Sequence, residues 1–310
     1  MGPGLTRRQA LIGATAGLLA AGWPRVGPAQ GAAGALTSVD LGPDLVLVSG
    51  AGANVTVLAT ADGLLLVDGG AVQHAPALQR VLADRWPGRR VEILFNSNWR
   101  EEHTGANAAL RAAGATVMAH ENTQLWLGGD FFVEWEQRHY APRPAADLPN
   151  KTFYKSGNVE LGGRRIEYWY VPRAHTDGDV AVFFADANLL VASDLLSVGR
   201  YPVPDYSTGG WIGGLVDASK RLLDATDART RIVAASGAVY GRAELEAQHE
   251  MCTAVRAQAA QAFRVGMSLA DFVASRPTAA FDERWGDPRQ FLPLVYKGGF
   301  AHLRELGGVI

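Results

Sequence analysis

The stretch "ILFNSNWREEHTGAN", residues Ile93 to Asn107, runs from an apolar strand into a polar loop and then into the start of a helix. The loop contains several groups that can hold a proton or a metal ion, namely Asn98, Arg100, Glu101, Glu102 and His103. Only His103 has the imidazole nitrogen that transition metals favour. The loop is therefore a candidate site, and the elements around it determine what chemistry it can support.

Short apolar runs separated by turns precede this loop. "DLVLVSG", "NVTVLAT" and "GLLLVDGG" predict consecutive antiparallel strands. From Ala75 the apolar residues recur on one helical face, at Leu78, Val81 and Leu82, which predicts a helix. Beyond the loop, "TGANAALRAAG" predicts a helix and "ATVMAH" a strand. The segment from Leu125 to Pro149 is rich in turn-forming and aromatic residues, and we interpret it as a long surface loop with a short helix.

The second half of the chain has a similar organisation. "RRIEYWYVP", "VAVFFAD" and "NLLVASDLL" predict three strands, "GGWIGGLVDASKRLLDATD" a helix, and "RIVAAS" a last buried strand. Residues 242–310 are mostly helical in pattern. Two halves that each combine strands with helices predict an α/β (α+β) fold, in which two sheets pack face to face with helices outside.

The composition is that of a soluble globular protein. Hydrophobic residues make up 48% of the chain and the net charge is −2, so there is no basic excess suited to nucleic acid. The single cysteine, Cys252, excludes an intrachain disulfide. It lies in an apolar series with helical spacing, which predicts a buried position.

The first residues differ in character from the rest. Arg7 and Arg8 precede an apolar run from Ala10 to Ala21, which is shorter than the roughly 20 residues needed to span a bilayer. This pattern predicts a twin-arginine export signal over residues 1–32, and hence a periplasmic or secreted protein with no stable membrane span after cleavage. The alternative is a membrane-tethered N-terminus.

Four motifs follow one another in a known order: "NVTVLATADGLLLVDGG", "SNWREEHTGANAALRAAGATVMAHENT", "VPRAHTDGDVAVFFADANLLVASDLL" and "RIVAASGAVYG". From about Asn54 to Gly241 the chain resembles the metallo-β-lactamase superfamily. The resemblance implies a four-layer αββα sandwich over residues 36–241, with residues 242–310 as a helical extension packed on it. It also implies a site at one edge of the two sheets, where that family binds one or two metal ions, usually zinc, for hydrolysis.

The family's ligand pattern, T-H-x-H-x-D-H followed by His, Asp and His, is only partly kept. The residues that match family ligands are His103, His175 and Asp194. The replacements are Asn98 and Arg100 for the first two histidines, Glu102 for the aspartate, and Ser236 for the last histidine. Asp68, in "VDGG", matches a family aspartate that organises the loops. The resemblance therefore predicts the fold together with a degenerate metal site.

Three hypotheses for the function follow, and whether the protein is an enzyme stays open. In the first, a metal-free relative binds a small molecule in a cleft lined by Asn98, Arg100 and Ser236. In the second, a hydrolase holds a single zinc ion with Glu102, His103 and Asp194, and His175 is a further ligand or base. In the third, Ser236 is the nucleophile of a metal-independent hydrolase. The cofactor is accordingly either none or one zinc ion.

The charge of Arg100 favours the first hypothesis. A guanidinium 4 Å from a cation is repelled by roughly 4 kcal/mol per unit charge at an effective dielectric constant of 20, and by twice that from a dication. We predict that Arg100 replaces a metal ion by neutralising Asp194 or Glu102, with Asn98 and Ser236 as hydrogen-bond partners. The resemblance implies that all of these residues converge with the two histidines in one pocket. Nearby aromatic residues favour an apolar or ring-containing ligand: Trp99, Trp126, Phe131, Trp135 and Tyr206.

Overall fold

The computed structural model describes residues 36–305, so the predicted signal over residues 1–32 lies outside it. No helix within the described range combines the length and the apolar character that crossing a bilayer requires. The strands are β1 (Thr37–Asp40), β2 (Leu45–Ala51), β3 (Ala53–Thr60), β4 (Gly63–Val67), β5 (Val91–Phe95), β6 (Thr116–His120), β7 (Phe131–Val133), β8 (Arg138–Tyr140), β9 (Lys151–Phe153), β10 (Gly157–Leu161), β11 (Arg164–Val171), β12 (Asp179–Phe184), β13 (Leu189–Ser193), β14 (Arg231–Ala234) and β15 (Val239–Tyr240). The helices are α1 (Ala75–Arg85), α2 (Glu101–Thr104), α3 (Asn107–Ala112), α4 (Glu121–Gly128), α5 (Ile212–Asp224), α6 (Arg242–Arg264), α7 (Leu269–Ala274), α8 (Asp282–Trp285) and α9 (Phe291–Glu305).

Two large sheets form the centre of the fold. The first has the strand order β1-β2-β3-β4-β5-β6-β9, and the second runs β10-β11-β12-β13-β14-β15. The early strands of each sheet pair antiparallel, as the turn signals predicted. The pairs β4–β5, β5–β6 and β13–β14 are parallel. Parallel neighbours need a crossover connection, and α1, α3 and α5 occupy these three crossovers.

Alternation along β2 shows how the layers form. Leu45 and Leu47 face the core between the two sheets, which also contains Val182 from the second sheet. Val46 and Val48 face the opposite way, into the core beneath α1 and α3. Because successive side chains of a strand point to opposite faces, an apolar run buried throughout predicts a sheet covered on both sides. The predicted αββα sandwich is confirmed.

The C-terminal helices extend the outer layer of the second sheet. Cys252 and Val255 of α6 and Val295 of α9 belong to the same buried cluster as Leu190 of β13. Burial raises the pKa of the Cys252 thiol, so this side chain is a packed apolar group. The helices therefore share a core with the sandwich.

The segment from Leu125 to Pro149 is more ordered than the sequence predicted. It contains the antiparallel hairpin of β7 and β8. Its side chains form a small core of their own, in which Leu127, Val133 and Tyr140 pack with Trp99. The interpretation as a surface loop with one short helix was wrong, because strands of three residues are too short to show an alternating pattern. This hairpin covers the loop that follows β5.

Candidate functional site

The site lies at the edge where several strands of both sheets end. Asp68 follows β4, the loop from Asn96 to Arg100 follows β5, and Asp194 follows β13. Asp68 and the neighbouring Ser193 have positive φ angles of 65° and 50°, which are uncommon for residues with a side chain. Such conformations cluster at functional sites, where the surrounding contacts hold them in place. Here Asp68 accepts hydrogen bonds from the backbone N and the Oγ of Ser97, at 2.8 and 2.9 Å.

A close backbone approach places α2 in this edge. Gly105 follows α2, and its backbone N donates to the carbonyl of Gly70 at 2.8 Å. A Cβ atom at position 105 would lie 2.1 Å from the backbone N of Val72, so only glycine fits there. This contact sets α2 against the turn after β4 and brings His103 next to Asp68.

His103 lies between two carboxylates. Its Nδ1 is 2.9 Å from Asp68 Oδ2 and its Nε2 is 2.8 Å from Asp194 Oδ2. Carboxylates only accept hydrogen bonds, so both ring nitrogens donate and the imidazole carries a positive charge. Burial by itself lowers the pKa of His103, but the two carboxylates outweigh it and raise this pKa well above its usual value.

Asp194 is surrounded by further polar side chains. Asn98 Nδ2 donates to Asp194 Oδ2 at 2.9 Å, and His175 Nε2 lies 3.7 Å from the same oxygen. Asn98 Oδ1 accepts from the backbone N of Arg100, which orients the amide. Burial would raise the pKa of Asp194, but the two histidines and Asn98 hold it well below its usual value. Asp194 is therefore an anion that the surrounding protein side chains stabilise.

His175 has one satisfied and one unsatisfied nitrogen. Its Nδ1 donates to the carbonyl of Val203 at 2.6 Å, so in the neutral ring Nε2 carries the lone pair. That Nε2 is buried and has no hydrogen-bond partner within residues 36–305. The backbone of the loop is held by Asp179, which accepts from the backbone N of His175 at 2.7 Å. The site thus presents a buried nitrogen beside Asp194 to which no described residue forms a hydrogen bond.

Arg100 does not point into this cluster. Its guanidinium donates to Glu136 at 2.5 Å and to Asp205 at 2.9 Å. It lies against the rings of Trp99 and Trp135, with 4.6 and 5.0 Å to their centroids. The prediction that Arg100 neutralises Asp194 or Glu102 was wrong. The buried carboxylate of Asp205, the half-buried one of Glu136 and two aromatic faces hold the guanidinium elsewhere, and His103 already supplies the positive charge beside Asp194.

Two other predicted site residues also lie outside the cluster's hydrogen bonds. Ser236 is exposed, and its Oγ accepts from Arg200 at 3.1 Å. Neither His103 nor His175 bonds to it, so the described residues give this hydroxyl no general base. Glu102 is half-buried and makes no hydrogen bond or ion pair within residues 36–305. Of the residues expected to converge, the contacts join Asn98, His103, His175 and Asp194.

The side chains do not fit the family's two-metal ligand set. The amide nitrogen of Asn98 faces Asp194, the guanidinium of Arg100 faces away, and Ser236 is exposed. Donor atoms around a tetrahedral zinc ion lie roughly 3.3 Å apart, given bonds of about 2.0–2.1 Å. The 2.8 Å between His103 and Asp194 is instead a hydrogen-bond distance. Within residues 36–305, no three His, Cys, Asp or Glu side chains are spaced to hold a metal ion.

A cavity of about 330 Å³ opens beside the cluster. Asp194 and His175 line it, together with residues that the sequence did not single out: Arg200, Tyr201, Trp285 and Phe291. No motif marks these four residues, because two lie in an irregular loop and two in the C-terminal extension. The aromatic residues expected to line the cleft have other contacts. Trp99 and Trp135 stack on Arg100, and Tyr206 lines a separate surface pocket.

A family model provides the comparison that decides the classification. The model of the metallo-beta-lactamase superfamily matches residues 48–238, more than half of the chain. The chain belongs to the metallo-beta-lactamase superfamily. The resemblance predicted from the four motifs is therefore confirmed. A search of curated proteins returns no match.

Solved structures of this superfamily share the fold with low identity. A metallo-beta-lactamase from Pontibacter korlensis is 15% identical with a TM-score of 0.57, over 70% of this chain and 99% of that one. DIM-1 metallo-beta-lactamase is 15% identical with a TM-score of 0.56, over 70% and 97%. A double mutant of the sec-alkyl sulfatase PisA1 is 15% identical with a TM-score of 0.65, over 88% of this chain and 51% of the sulfatase. Identity this low establishes the metallo-beta-lactamase fold alone.

Proposed function

We propose that this metallo-beta-lactamase-fold protein binds a small molecule in its edge cleft and does not carry the family's dinuclear zinc centre. One observation carries the proposal: both ring nitrogens of His103 face carboxylates, Asp68 at 2.9 Å and Asp194 at 2.8 Å. A nitrogen that donates a proton to a carboxylate has no lone pair for a metal ion. His103, one of the three residues that match family ligands, is thus engaged in a hydrogen-bond network.

Proton competition strengthens this argument. Histidine must lose a proton to bind a metal ion, so at a pH below the pKa of the histidine a proton competes with the metal ion. The carboxylates of Asp68 and Asp194 overcome burial and raise the pKa of His103. A metal ion would therefore have to displace a proton that the carboxylates of Asp68 and Asp194 hold in place. The substituted positions Asn98 and Ser236 offer no further imidazole to compensate.

His175 supports a second candidate, a one-metal hydrolase. Its Nε2 is buried without a hydrogen-bond partner in the described range, while Nδ1 donates to a backbone carbonyl, as metal-bound histidines commonly do. Glu102, His103, Asp194 and His175 would then hold the ion, which would act as a Lewis acid and activate water. This alternative requires His103 to give up one of its two hydrogen bonds.

Metal analysis of the purified full-length protein separates the two candidates. We expect well under 0.5 equivalent of zinc by elemental analysis after purification from the native host without chelators. A variant combining Asn98→His with Ser236→His should retain more zinc, because two imidazoles are restored at family positions. One full equivalent of zinc in the unmodified protein, lost in His175→Ala, would overturn the proposal in favour of the hydrolase.

We also propose that the protein is exported through a twin-arginine signal, because Arg7 and Arg8 precede a short apolar run. The export receptor recognises the arginine pair itself, so a change of both residues to lysine should leave the protein in the cytoplasm. Fractionation of the native host measures this directly, with Arg80→Lys as the matched control. Normal export of the double lysine variant would contradict the prediction.

A further inference from the structure

We propose that the cavity beside Asp194 binds a small zwitterion, with an ammonium group against Asp194 and His175 and a carboxylate paired with Arg200. The inference rests on the proposed function, since it takes the cleft to be a metal-free binding site. Two kinds of group that line the cavity without partners indicate the chemical class of the ligand. Asp194 and His175 offer acceptors, and Arg200 offers a positive charge.

The first set of such groups consists of acceptors. Asp194 Oδ2 receives hydrogen bonds from His103 and Asn98, whereas its Oδ1 accepts none from residues 36–305. The carboxylate is 21% exposed, so a ligand can reach it. His175 Nε2 is buried with no hydrogen-bond partner in the described structure, and in the neutral ring, whose proton is on Nδ1, it is an acceptor. A ligand that satisfies both atoms must donate, and an ammonium group brings three N–H donors.

The net charge of Asp68, Asp194 and His103 favours a cation beside Asp194. Asp68 and Asp194 share the single positive charge of His103, which leaves one negative charge at the edge of the sheets. A charge held away from water is costly unless an opposite charge accompanies it. Arg100 does not supply that charge, because Glu136 and Asp205 already bind it. Arg200 lines the same cavity, but its guanidinium donates to Ser236 Oγ, so the place beside Asp194 stays open to an ammonium group of a ligand.

Arg200 provides the opposite requirement within the same cavity. Its guanidinium donates to Ser236 Oγ at 3.1 Å and forms no ion pair within residues 36–305. Asp287 also lines the cavity, but Arg289 holds its carboxylate at 2.5 Å. Arg200 is thus the lining cation without an anionic partner in the described range. Guanidinium groups pair with carboxylates in bidentate geometry, which makes a carboxylate the fitting counterpart.

The size of the cavity limits the ligand. Its volume is about 330 Å³, which corresponds to roughly eleven water molecules at about 30 Å³ each. The wall contributed by Tyr201, Trp285 and Phe291 is apolar and aromatic. A short methylene chain between the two charged ends would contact this wall. The combination fits an amino acid or an ω-amino carboxylate.

A calorimetric series with the full protein tests the proposal. The probes are ω-amino carboxylates from 3-aminopropanoate to 6-aminohexanoate, each compared with the alkylamine and the alkyl carboxylate of the same length. We expect at least one ω-amino carboxylate to bind tenfold or more tightly than both of its analogues. Arg200→Gln should abolish its advantage over the alkylamine. Asp194→Asn should abolish its advantage over the carboxylate. Arg80→Gln, an exposed arginine on α1, serves as the control and should change neither ratio.

The outcomes distinguish this inference from the proposed function. Equal binding of the zwitterion and its analogues, or no binding by any of them, would overturn the zwitterion proposal. An unchanged preference in Arg200→Gln, an exposed residue whose loss should not affect folding, would also overturn it. A parallel zinc titration reports on the proposed function. Submicromolar zinc binding would refute the metal-free cleft, whereas absent zinc binding with absent zwitterion binding would refute only this inference.

Discussion

Two buried cations lie three residues apart after β5, Arg100 at the end of the loop and His103 on α2, and each is flanked by two carboxylates. His103 lies between Asp68 and Asp194, and Arg100 lies between Glu136 and Asp205. Arginine never loses its proton in a protein, whereas histidine can exchange its proton for another partner. The Arg100 cluster therefore serves the structure, and the His103 cluster is the one that can respond to a ligand, a metal ion or pH.

The surroundings of the two clusters support this division. Trp99 and Trp135 enclose Arg100, and the Asp205 side chain is fully buried. Trp135 Nε1 and Thr208 Oγ1 also donate to Asp205, so the carboxylate is well supplied with partners. In contrast, the Asp194 side chain is 21% exposed and borders the cavity. The Arg100 cluster ties the hairpin of β7 and β8 to the sandwich, and the His103 cluster borders the cavity in which we place the ligand.

The largest effect is expected from Arg100→Ala. This change leaves Asp205 and Glu136 without their cation, and loss of one partner of a buried ion pair costs about 3–5 kcal/mol. Urea denaturation should show a loss of this size, and Arg100→Lys should recover part of it because one charged bond survives. A loss below about 1 kcal/mol, within the range of exposed ion pairs, would contradict the structural role.

His103→Gln should have a smaller effect on stability. The variant loses the positive charge between Asp68 and Asp194, but Asn98 still donates to Asp194, which water also reaches. We expect a loss of about 1–3 kcal/mol, the usual cost of an unsatisfied buried polar group. Denaturation under the same conditions checks this value. A loss larger than that of Arg100→Ala would reverse the assignment of the two clusters.

The smallest effect is a pH dependence of stability, which the His103 cluster should show and the Arg100 cluster should not. The pKa of His103 is raised in the folded protein, so its stabilising contribution is complete below the unfolded value of about 6.5 and is lost as the pH rises through the folded value. Free energies of unfolding measured from pH 6 to 9 should fall in the unmodified protein and fall less in His103→Gln.

The contribution of Asp179 to the pH dependence of stability must be distinguished from that of His103 in that experiment. Burial raises its pKa to about 7, so its contribution declines as the pH rises from about 4 to 7. Asp179→Asn removes this component, and the remaining slope above pH 7 belongs to His103. If the free energy of unfolding fell with pH just as steeply in a variant that combines His103→Gln with Asp179→Asn, another group would be the cause of the pH dependence.

The sequence predicted the sandwich because its strands are long apolar runs with the order of a known family. The resemblance also predicted that His103, His175 and Asp194 meet, because all three match ligand positions of that family. The partners of Arg100 could not be predicted in the same way. Glu136 lies in a hairpin whose strands have three residues each, and Asp205 is 105 positions away in an irregular loop. The orientation of a side chain at the end of a strand depends on which charged residues, distant in sequence, lie close to it in space. No local sequence pattern encodes that proximity.

The protonation state of His103 tests the central claim most directly. In the unmodified protein labelled with ¹⁵N-histidine, NMR spectra should show both ring nitrogens of His103 protonated at pH 7.5, with the signals assigned by their loss in His103→Gln. The same signals should persist after one equivalent of zinc is added. A lone-pair Nε2 in the free protein, or a shift to the metal-bound position with one equivalent of zinc, would contradict the account.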